Sequence, residues 1–471
     1  MRYDLIVLGA GPAGLAAARE AAEAGLAVAL LDEQPRAGGQ IYRDVERAAA
    51  RRGDILGADY AHGIDLVRGI DTAGIRHMAG TVVWAIEEAA EGISVSCTRE
   101  GRATQIHGAR LLIATGALER PMPMPGWTLP GVMTAGAGQI LLKASGMVAR
   151  RAVLVGSGPL LYLIAAQMVR AGVPPLALVE TQTREDFTGA LRHLPGALRG
   201  WRYLLKGARM LAEIRRAGVV RYRGAREIAI EGAEAAEAVR FTAGGKAHRI
   251  ECDTVLLHHG VVPNTQAARS IGIAHRWDRG QRAFLPQCDA WGATEQPGIW
   301  MAGDGTGIGG AKQAEIAGRL AALDIACAAG KITTGDRDLR AVPLRRASRG
   351  ELAARPFLDA AYPPYEGALS PEDAVTICRC EEISAGDIRA YARLGCLGPN
   401  QAKAFGRPGM GPCQGRYCGL TVTALLAEAH GRSEDETGYY RIRAPIKPVT
   451  LGELAQMQEG EGFAPIQGET H

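Results

Sequence analysis

The sequence predicts an α/β protein in which one strand–turn–helix unit occurs twice, followed by a small helical unit near the C-terminus. Three observations support this fold class. An apolar run leads into a glycine-rich turn at Gly9 and then an Ala-rich helix, which is the order of a βαβ unit. The same order recurs from Ala152. Five of the nine cysteines lie between Cys378 and Cys418, and such crowding in a cytosolic chain indicates metal or redox chemistry.

Length and composition are those of a globular protein with several domains. The chain has 471 residues, of which 47% are hydrophobic and 22% charged, and its net charge is +4. The charge is spread without a basic run, which argues against a nucleic-acid partner. No apolar stretch reaches the ~18 residues of a membrane span. Asp4 interrupts the N-terminal apolar run, which continues into a glycine motif, so we expect a cytoplasmic protein.

The first unit carries the specific form of the dinucleotide-binding motif. Predicted strands at 3–9 and 28–31 flank a predicted helix at 15–24. In the turn before the helix, one glycine allows the sharp bend, one admits a pyrophosphate and one lets helix and strand pack closely. These are Gly9, Gly11 and Gly14. Asp32 ends the second strand, where its carboxylate can accept hydrogen bonds from ribose hydroxyls, and the helix N-terminus stabilises phosphate charge.

The second unit lacks one part of this motif. A predicted strand at 152–155 leads into Gly156 and Gly158, but Leu161 stands where the third glycine belongs. We expect Leu161 to push helix and strand apart. Glu180 ends the next strand and would favour NAD over NADP. Two interpretations stay open, an NAD site and a βαβ unit kept for packing with an empty or altered pocket.

The crowded cysteines form two pairs and one outlier. Cys378 and Cys380 are separated by one residue, Cys413 and Cys418 by four, and both pairs lie on glycine-rich or polar loops. Cluster iron requires four thiolates, so we predict a [2Fe-2S] site at these four residues. Zinc is the alternative metal, and a site without metal stays open. Cys396 lies outside both loops and is interpreted as a core or free thiol.

The chain divides into six predicted segments. Strand–turn pieces at 111–116 and 298–304 are expected to join sheets begun earlier, and Ser384 is expected to cap a helix that runs through Leu394. Residues 332–370 are rich in Arg and Pro without periodicity and are interpreted as a connector. The predicted segments are a first nucleotide domain at 1–150, a second at 151–250, a return to the first at 251–331, the connector at 332–370, a [2Fe-2S] domain at 371–435 and an extended tail at 436–471.

Several separate segments resemble the two-dinucleotide-binding-domain flavoproteins. The stretch around Gly39 resembles their turn beside the flavin, Thr115 and Gly116 their Ala-Thr-Gly strand end, and Gly303 and Asp304 their Gly-Asp motif. The resemblance implies FAD, with the Asp304 carboxylate holding the ribitol chain and the Val83 backbone contacting adenine. The implied cofactor-binding residues are Gly9, Gly11, Pro12, Ala13, Gly14, Asp32, Glu33, Gln34, Gly39, Gln40, Val83, Thr115, Gly116, Gly303 and Asp304.

The whole chain resembles the α (A) subunits of opine oxidases, hydrogen cyanide synthase, and D-hydroxyproline and heteromeric proline dehydrogenases. The segment from residue 371 resembles the bacterioferritin-associated-ferredoxin-like [2Fe-2S] domain. The similar stretches are 31–43, 258–264, 409–419 and 440–448, and the loop Cys413-Gln-Gly-Arg-Tyr-Cys418 is the most specific. His259 departs from the family, in which glutamate is expected.

This resemblance implies a division of labour between subunits. A β subunit resembling D-amino-acid oxidase would oxidise the small-molecule amine, with a small ferredoxin-like γ subunit in some relatives. Some members also hold FMN at the subunit contact, or NAD or ATP at a nucleotide site. This chain would pass electrons from the β subunit through FAD and [2Fe-2S] to a one-electron acceptor.

Two other functions stay open, an NADH-dependent flavoprotein reductase that uses the second unit, and a scaffold that binds nucleotide structurally. A direct disulfide reductase is not expected, because no cysteine follows Gly39 and no CxxC lies near the second unit. No base for amine oxidation is identified on this chain, so its catalytic residue is unknown. His107, His258 and His259 are interpreted as ordinary packed or surface histidines.

Overall fold

The computed structural model describes residues 2–71, 74–89 and 92–457. Its first part contains the first βαβ unit and an antiparallel layer. The elements up to residue 145 are β1 (Arg2–Tyr3), β2 (Leu5–Leu8), α1 (Pro12–Glu23), β3 (Val28–Asp32), α2 (Val45–Leu56), α3 (Ala58–Ala61), α4 (Gly63–Arg68), β4 (Ile75–Ala79), β5 (Val82–Ala89), β6 (Gly92–Arg99), β7 (Arg102–Gly108), β8 (Leu111–Ile113), β9 (Ala117–Glu119), β10 (Val132–Thr134) and α5 (Ala135–Ser145).

The middle of the chain holds the second βαβ unit and the return to the first. Its elements are β11 (Ala152–Gly156), α6 (Pro159–Arg170), β12 (Ala177–Glu180), α7 (Arg184–Ala190), α8 (Leu194–Arg199), α9 (Trp201–Arg216), β13 (Val220–Arg223), β14 (Arg226–Glu231), β15 (Ala238–Ala243), β16 (Lys246–Glu251), β17 (Thr254–His258), β18 (Val261–Pro263), α10 (Gln266–Ser270), β19 (His275–Asp278), β20 (Ala283–Pro286), β21 (Ile299–Met301) and α11 (Ala311–Ala328). Short 3-10 turns occupy Leu191–His193 and Gly303–Gly305.

The C-terminal part is mainly helical. Its elements are α12 (Thr334–Leu352), α13 (Arg355–Ala361), α14 (Glu366–Leu369), β22 (Thr376–Cys378), β23 (Ile383–Ser384), α15 (Ala385–Arg393), α16 (Pro399–Gly406), α17 (Gly419–His430), α18 (Glu434–Thr437) and α19 (Leu451–Ala455). In the described ranges, no helix has the length and hydropathy needed to cross a bilayer.

Two five-stranded parallel sheets confirm the predicted α/β class. The first has the order β21-β8-β2-β3-β4 and the second the order β10-β17-β11-β12-β13. The antiparallel layer β7-β6-β5 accompanies the first sheet, with β1 beside β7, and the antiparallel sheet β14-β15-β16 accompanies the second. Helix α1 packs against α11 so closely that a Cβ on Gly318 would lie 2.1 Å from the carbonyl oxygen of Ala13.

The sheets correct two predicted domain boundaries. Strand β10 lies within the segment predicted for the first domain, and β17 lies within its predicted return segment. Both strands pair in the second sheet, β10 with β17 and β17 with β11. The sequence of such a short strand does not show which sheet it joins, because its pairing is set by the tertiary fold. The predicted return of the chain at 298–304 is confirmed by β21, which pairs with β8.

The connector is helical, although its sequence predicted irregular structure. Thr333 caps α12, which contains Pro343 and runs to Leu352. Ala341 and Leu344 of α12 are buried against Leu320 and Leu323 of α11, and Arg337 pairs with Asp324 at 2.7 Å, so a short apolar contact and ion pairs together hold the helix against the body. This explains why the amphipathic periodicity that predicts helices is weak here.

The cysteine-bearing domain and the tail share one hydrophobic core with the first sheet. Ile377, Val422 and Ile446 belong to the same buried cluster as Ile6 and Val83. The Ser384 cap is confirmed, since its hydroxyl and Asp387 form a reciprocal capping box on α15. The tail was predicted to be mostly extended; in its described part residues 438–450 belong to no helix or strand, and α19 then covers Leu451–Ala455. Residues 458–471 lie outside the described residues.

Candidate functional site

The first glycine turn is held by close backbone contacts. Gly9 has a φ of +106°, and a Cβ there would lie 2.6 Å from the carbonyl oxygen of Ala114. A Cβ on Gly14 would lie 1.8 Å from the carbonyl oxygen of Gly9, so any side chain would separate α1 from β2. Gly11 faces Gly39, where a Cβ would lie 2.9 Å from the Gly11 Cα. Pro12 is the first residue of α1, a position that suits its fixed φ.

Asp32 fixes this turn from the end of the neighbouring strand. One carboxylate oxygen accepts the N–H of Ala10 at 2.6 Å and the other accepts the N–H of Gln34 at 2.7 Å. Burial raises the pKa of Asp32, and these two hydrogen bonds oppose the rise because they stabilise the carboxylate. The N–H of Thr81 donates to the main-chain oxygen of Asp32 at 2.8 Å, which brings β5 and Val83 to the same end of the sheet.

Thr115 and Gly116 lie at the end of β8, as the sequence predicts. The Thr115 hydroxyl donates to the carbonyl oxygen of Asn264 at 3.2 Å. The N–H of Asn264 donates to the carbonyl oxygen of Gly116 at 2.9 Å. This reciprocal pair joins the strand end to the segment that returns from the second sheet.

Gly303 and Asp304 lie beside the start of α1. A Cβ on Gly303 would lie 2.7 Å from that of Ala13, so only glycine allows this approach. The Asp304 Oδ1 accepts the N–H groups of Gly309 and Gly310, both at 2.9 Å. The carboxylate therefore orders the turn that precedes α11.

A buried lysine supports the turn at Gly39 and Gln40. The Lys143 ammonium donates to the carbonyl oxygen of Gln40 at 3.1 Å and to Oε1 of Gln139 at 2.9 Å. Burial, together with the nearby charge of Arg43, lowers the pKa of Lys143 to about 7. Lys143 was not predicted as a site residue, since it belongs to no motif and only the fold brings it to this loop.

The tail and the Cys413–Cys418 loop reach the far side of the same site. The Lys447 ammonium lies 2.7 Å from a carboxylate oxygen of Glu33, and the N–H of Ile446 donates to the carbonyl oxygen of Trp84 at 2.8 Å. Burial lowers the pKa of Arg416, while the nearby charges of Cys413 and Glu33 oppose that shift. The cysteine-bearing domain thus borders the first glycine turn and its acidic residue pair.

The second glycine turn is covered by the chain itself. The Ser157 hydroxyl donates to the carbonyl oxygen of Pro363 at 2.9 Å. Leu161 is fully buried at the position that matches Gly14. His258 is also buried, its Nδ1 lies 2.6 Å from a carboxylate oxygen of Glu119, and its Nε2 would lie 3.2 Å from a Cβ on Gly158. Protein atoms therefore occupy both sides of this turn.

Residues 353–365, here called the strap, provide this cover. Tyr362 packs edge-on against Tyr162 and Phe187, with ring centroids 6.0 and 5.4 Å apart. The N–H of Tyr365 donates to Nδ1 of His259 at 3.2 Å, and the other ring nitrogen donates to the carbonyl oxygen of Pro121 at 2.7 Å. His259, the departure from the family pattern, is thus a fully used structural side chain. Burial lowers its pKa well below the ordinary value, which keeps it neutral.

Glu180, the expected ribose acid of the second unit, is already paired. Its side chain is fully buried, and Arg221 contacts Oε1 at 2.7 Å. Burial raises the pKa of Glu180, while Arg221 opposes the rise by favouring the charged form. Three neighbouring polar atoms lack a hydrogen-bond partner among the described residues and are buried; they are Glu180 Oε2, Thr181 Oγ1 and Gln182 Oε1. Buried polar atoms without a hydrogen-bond partner therefore remain at the end of β12, below the closed surface of the second turn.

The four predicted cysteine ligands come together as two pairs. Cys418 donates a hydrogen bond to Cys378, and Cys380 donates to Cys413. The pKa of Cys378 is lowered to about 6; the interaction with Cys418 is the largest cause, and burial opposes it. Backbone N–H groups aimed at the same sulfur add to the effect; they are those of Gly409, Glu381 and Cys380.

Glycines near these sulfurs make room for two tyrosines and a cysteine. Cβ atoms on Gly409 and Gly415 would lie 2.6 and 2.5 Å from the Tyr440 ring, one on Gly419 would lie 2.2 Å from the Tyr439 hydroxyl, and one on Gly411 would lie 2.2 Å from the Cβ of Cys380. Within the described part of the chain, no group of three or more His, Cys, Asp or Glu is placed to hold a metal ion. The four-cysteine site therefore stays a prediction.

Cys396 is separate from both pairs. It is buried, and its thiol donates to the carbonyl oxygen of Gly398 at 3.4 Å. This placement agrees with its interpretation as a core thiol.

Comparison with known proteins agrees with this geometry. Residues 3–321 match the family described as pyridine nucleotide-disulphide oxidoreductase, and residues 376–458 match the sarcosine oxidase A3 domain. The chain is 46% identical over 462 residues to the A subunit of opine oxidase from Rhizobium meliloti, covering 97% of this chain and 88% of that one. It is 31% identical over 463 residues to hydrogen cyanide synthase subunit HcnB of Pseudomonas protegens, covering 95% and 97%.

A solved structure shows the same fold along almost the whole chain. L-proline dehydrogenase from P. horikoshii superposes with a TM-score of 0.72 over 97% of this chain and 80% of the other, at 20% identity. The two parallel sheets, the glycine turn and the family match define a flavin-dependent oxidoreductase.

The identity to the opine oxidase relatives makes the assignment more specific. The chain belongs to the family of opine oxidase A subunits. Its relatives are subunits of heteromeric oxidases, so this chain is one subunit of a heteromeric flavin oxidoreductase.

Proposed function

We propose that this chain is the electron-transfer subunit of a heteromeric amine or imino-acid dehydrogenase of the opine or D-hydroxyproline type. It would bind FAD at the first glycine turn and a [2Fe-2S] cluster at its two cysteine pairs. One observation carries the proposal: Arg416, in the loop of Cys413 and Cys418, donates to the carbonyl oxygen of Ile446 at 3.0 Å, and the next residue, Lys447, pairs with Glu33 beside the first glycine turn. Both groups would then lie within one packed body.

The residues at the first turn fit a dinucleotide. Gly11 and Gly39 leave backbone exposed without a Cβ, the N-terminus of α1 favours negative charge, and Asp32 is a buried acid at the strand end. Asp304 and Thr115 would complete the flavin end. When bound, FAD accepts two electrons and a [2Fe-2S] cluster passes one at a time, which couples amine oxidation to a one-electron acceptor.

The cysteine pairs also fit their predicted cluster in donor chemistry. Cys378, Cys380, Cys413 and Cys418 would supply four thiolates, and N–H groups already point at the sulfur of Cys378. Zinc would use the same donors, so the metal must be identified by experiment.

The test is the anaerobically purified full chain with metal and flavin analysis. Cys413→Ser should remove iron and the cluster absorption while the flavin absorption stays. Cys396→Ser is the matched control, because this buried thiol belongs to neither pair, and it should keep both. A native protein that contains neither iron nor nucleotide, or an unchanged iron content in Cys413→Ser, would reject the proposal.

Asp304→Ala tests the flavin part separately. Loss of the carboxylate should weaken flavin retention while iron content is unchanged. The variant also loses two hydrogen bonds to Gly309 and Gly310, so thermal stability must be measured beside flavin content. Full flavin occupancy in a stable variant would refute the ribitol role.

The partner proposal follows the family. We propose a β subunit resembling D-amino-acid oxidase that oxidises the amine, with a ferredoxin-like γ subunit and interfacial FMN as further components. NAD or ATP at a nucleotide site, and a cytoplasmic location, are also proposals from the resemblance. The chain alone should show little substrate turnover, and addition of the β subunit should restore dye reduction. Copurification from the native host and a panel of opines and imino acids would identify partner and substrate.

Two other functions are disfavoured by particular observations. An NADH-dependent reductase would need the second glycine turn, which the strap covers and where Arg221 already pairs with Glu180. Rapid NADH bleaching of the bound flavin would support that reductase. A scaffold without redox function would hold a flavin that neither partner nor chemical reductant can reduce.

A further inference from the structure

Helices α7, α8 and α9 expose a regular row of large apolar side chains. These helices form a segment inserted between β12 and β13 of the second sheet. The row, here called the exposed stripe, repeats at alternating intervals of four and three residues. Its members are Phe187, Leu191, Leu194, Leu198, Trp201 and Leu205. This spacing places side chains on one face of a helical run.

Every member of the exposed stripe is open to solvent. The exposed fractions of Leu191, Leu198 and Trp201 are 55%, 58% and 55%. The opposite face is closed, since Ala190, Ala197 and Ile214 are buried. Isolated surface leucines are common, whereas a row of six large apolar residues marks an interaction surface.

The strap holds these helices against the body. A Cβ on Gly196 would lie 2.6 Å from the carbonyl oxygen of Ala353, and one on Gly200 would lie 2.7 Å from the Cβ of Ala354. Because the inner face is packed so tightly, the segment cannot rotate to bury its apolar side chains against this chain. The exposed stripe is therefore available to a surface outside this chain.

The charge that the inserted helices place beside the exposed stripe is positive. From residue 187 to residue 212 the sequence contains no Asp or Glu, and its basic residues are Arg192, Arg199, Arg202, Lys206 and Arg209. All five are exposed. Lys206 reaches Asp59 at 2.5 Å, but in the part of the chain that the structure describes neither Arg199 nor Arg202 pairs with a carboxylate. The surface therefore attracts an anionic, partly apolar occupant.

We propose that the exposed stripe binds the surface of a bilayer that contains anionic phospholipids. Leu and Trp would enter the boundary between headgroups and acyl chains, and the arginines would meet lipid phosphates. Amphipathic helices that lie in the membrane plane combine a large apolar face, aromatic residues and Arg- or Lys-rich flanks, as α8 and α9 do. Anionic lipid attracts such cations additively near the surface.

A bilayer fits this surface better than a protein partner does. Protein interfaces usually mix both charge signs around an apolar centre, which gives them specificity. Here the inserted helices carry cations alone from residue 187 to residue 212, and carboxylates of other elements reach this surface at Lys206, from Asp59, and at Tyr203, from Glu351. The inference does not depend on the proposed electron-transfer function, because it uses only the second sheet and its inserted helices.

The experiment uses the full chain and sedimenting vesicles. One vesicle population contains equal parts of phosphatidylcholine and phosphatidylglycerol, and the other contains phosphatidylcholine alone. The chain should bind the anionic vesicles, and the binding should weaken as salt rises. The double variant Leu198→Glu with Trp201→Glu should lower the bound fraction at least tenfold. Leu339→Glu, at an exposed leucine of α12, is the matched control and should bind like the parent chain.

A second variant and a partner measurement keep the result unambiguous. Arg199→Gln with Arg202→Gln removes charge without adding any to the apolar face, and it should also weaken binding to anionic vesicles. Circular dichroism and the thermal midpoint verify the fold of each variant. Absence of binding to anionic vesicles, or equal binding by a folded stripe variant, overturns the proposal. Loss of copurification with another subunit in the stripe variant, without vesicle binding by the parent, would assign the surface to a protein partner.

Discussion

The two glycine turns of this chain begin alike and end differently. Each follows a buried parallel strand, opens a helix with proline at its first position, and is followed by an acidic residue at the next strand end. At the first turn, Asp32 binds backbone N–H groups of the turn itself. At the second, Glu180 is paired with Arg221 and the strap covers Ser157. A glycine turn therefore indicates a nucleotide site only when the acidic residue at the next strand end and the surface of the turn are both free to contact a nucleotide.

The largest expected effect concerns the ion pair under the second turn. Arg221→Met should lower the free energy of unfolding by about 3–5 kcal/mol, because it leaves a buried carboxylate without its partner. Arg223→Met is the matched control; Arg223 lies 3.8 Å from Glu180 and is largely exposed, so its loss should change stability by less than about 0.5 kcal/mol. Equal effects of the two substitutions would contradict the assignment of Arg221 as the main partner of Glu180.

The same substitution has a predictable pH dependence. Burial already raises the pKa of Glu180 above its ordinary value of 4.5, and loss of Arg221 should raise it further. The native variant then holds a proton that the unfolded chain releases, so its stability falls as pH rises through this interval. The deficit relative to the parent should be small near pH ~5 and larger near pH ~8. Denaturant titrations at the two pH values measure it.

Removal of the Tyr362 side chain tests whether the strap closes the second glycine turn. Tyr362→Ala should lower the free energy of unfolding by about 2 kcal/mol through loss of aromatic packing, and hydrogen exchange in residues 353–365 should accelerate. NADH should still fail to reduce the flavin, because Arg221 remains on Glu180. Leu339→Ala, at an exposed position, serves as control. Reduction of the flavin in the parent chain by NADH would contradict the conclusion that the second turn is closed.

Gly11→Ala tests whether the first glycine turn is the one that binds FAD. A Cβ at Gly11 would lie 3.9 Å from the Gly39 Cα, and the φ of −81° suits any residue, so the fold should tolerate alanine. If the pyrophosphate approaches here, FAD binding to the apoprotein should weaken about tenfold, or about 1.4 kcal/mol. Gly158→Ala should instead strain a φ of +115° and leave FAD affinity unchanged. Fluorescence titration with FAD compares the two.

The smallest expected effect is that of the Ser157 hydroxyl. Ser157→Ala removes its hydrogen bond to Pro363 and should cost about 1 kcal/mol of stability. Exchange at the amides of Tyr362 and Tyr365 should rise modestly, with no change around the first turn. Unchanged exchange there would show that other contacts hold the strap.

Local patterns predicted the units of this fold, and tertiary contacts decided the rest. Strand β2, helix α1 and the Ser384 cap follow from apolar runs, turn glycines and a capping residue, so the sequence alone predicts them. The positions of β10 and β17 do not, because three to five apolar residues fit either sheet. Helix α12 was missed because only two of its residues, Ala341 and Leu344, are buried, which is too few for a periodic apolar pattern.

The candidate site was predictable where a motif exists. The glycines of the first turn have the close backbone contacts that their motif implies. Lys143 and Pro363 were not predictable, since neither belongs to a motif and each meets its turn only in the folded chain. The role of Gly409 and Gly415 in the cysteine loops was also not predictable, because they make room for the ring of Tyr440, which only the fold brings there.

The shared core beneath the cysteine loops has a consequence for how this protein can be divided. Ile377 and Val422 bury their side chains in the cluster that also contains Ile6 of the first sheet. A truncation before residue 371 would remove part of this buried cluster and expose to water apolar side chains that it now covers. The cysteine-bearing segment is therefore not an independent unit. Fusing it to another flavoprotein would also require the apolar residues of this chain against which it packs.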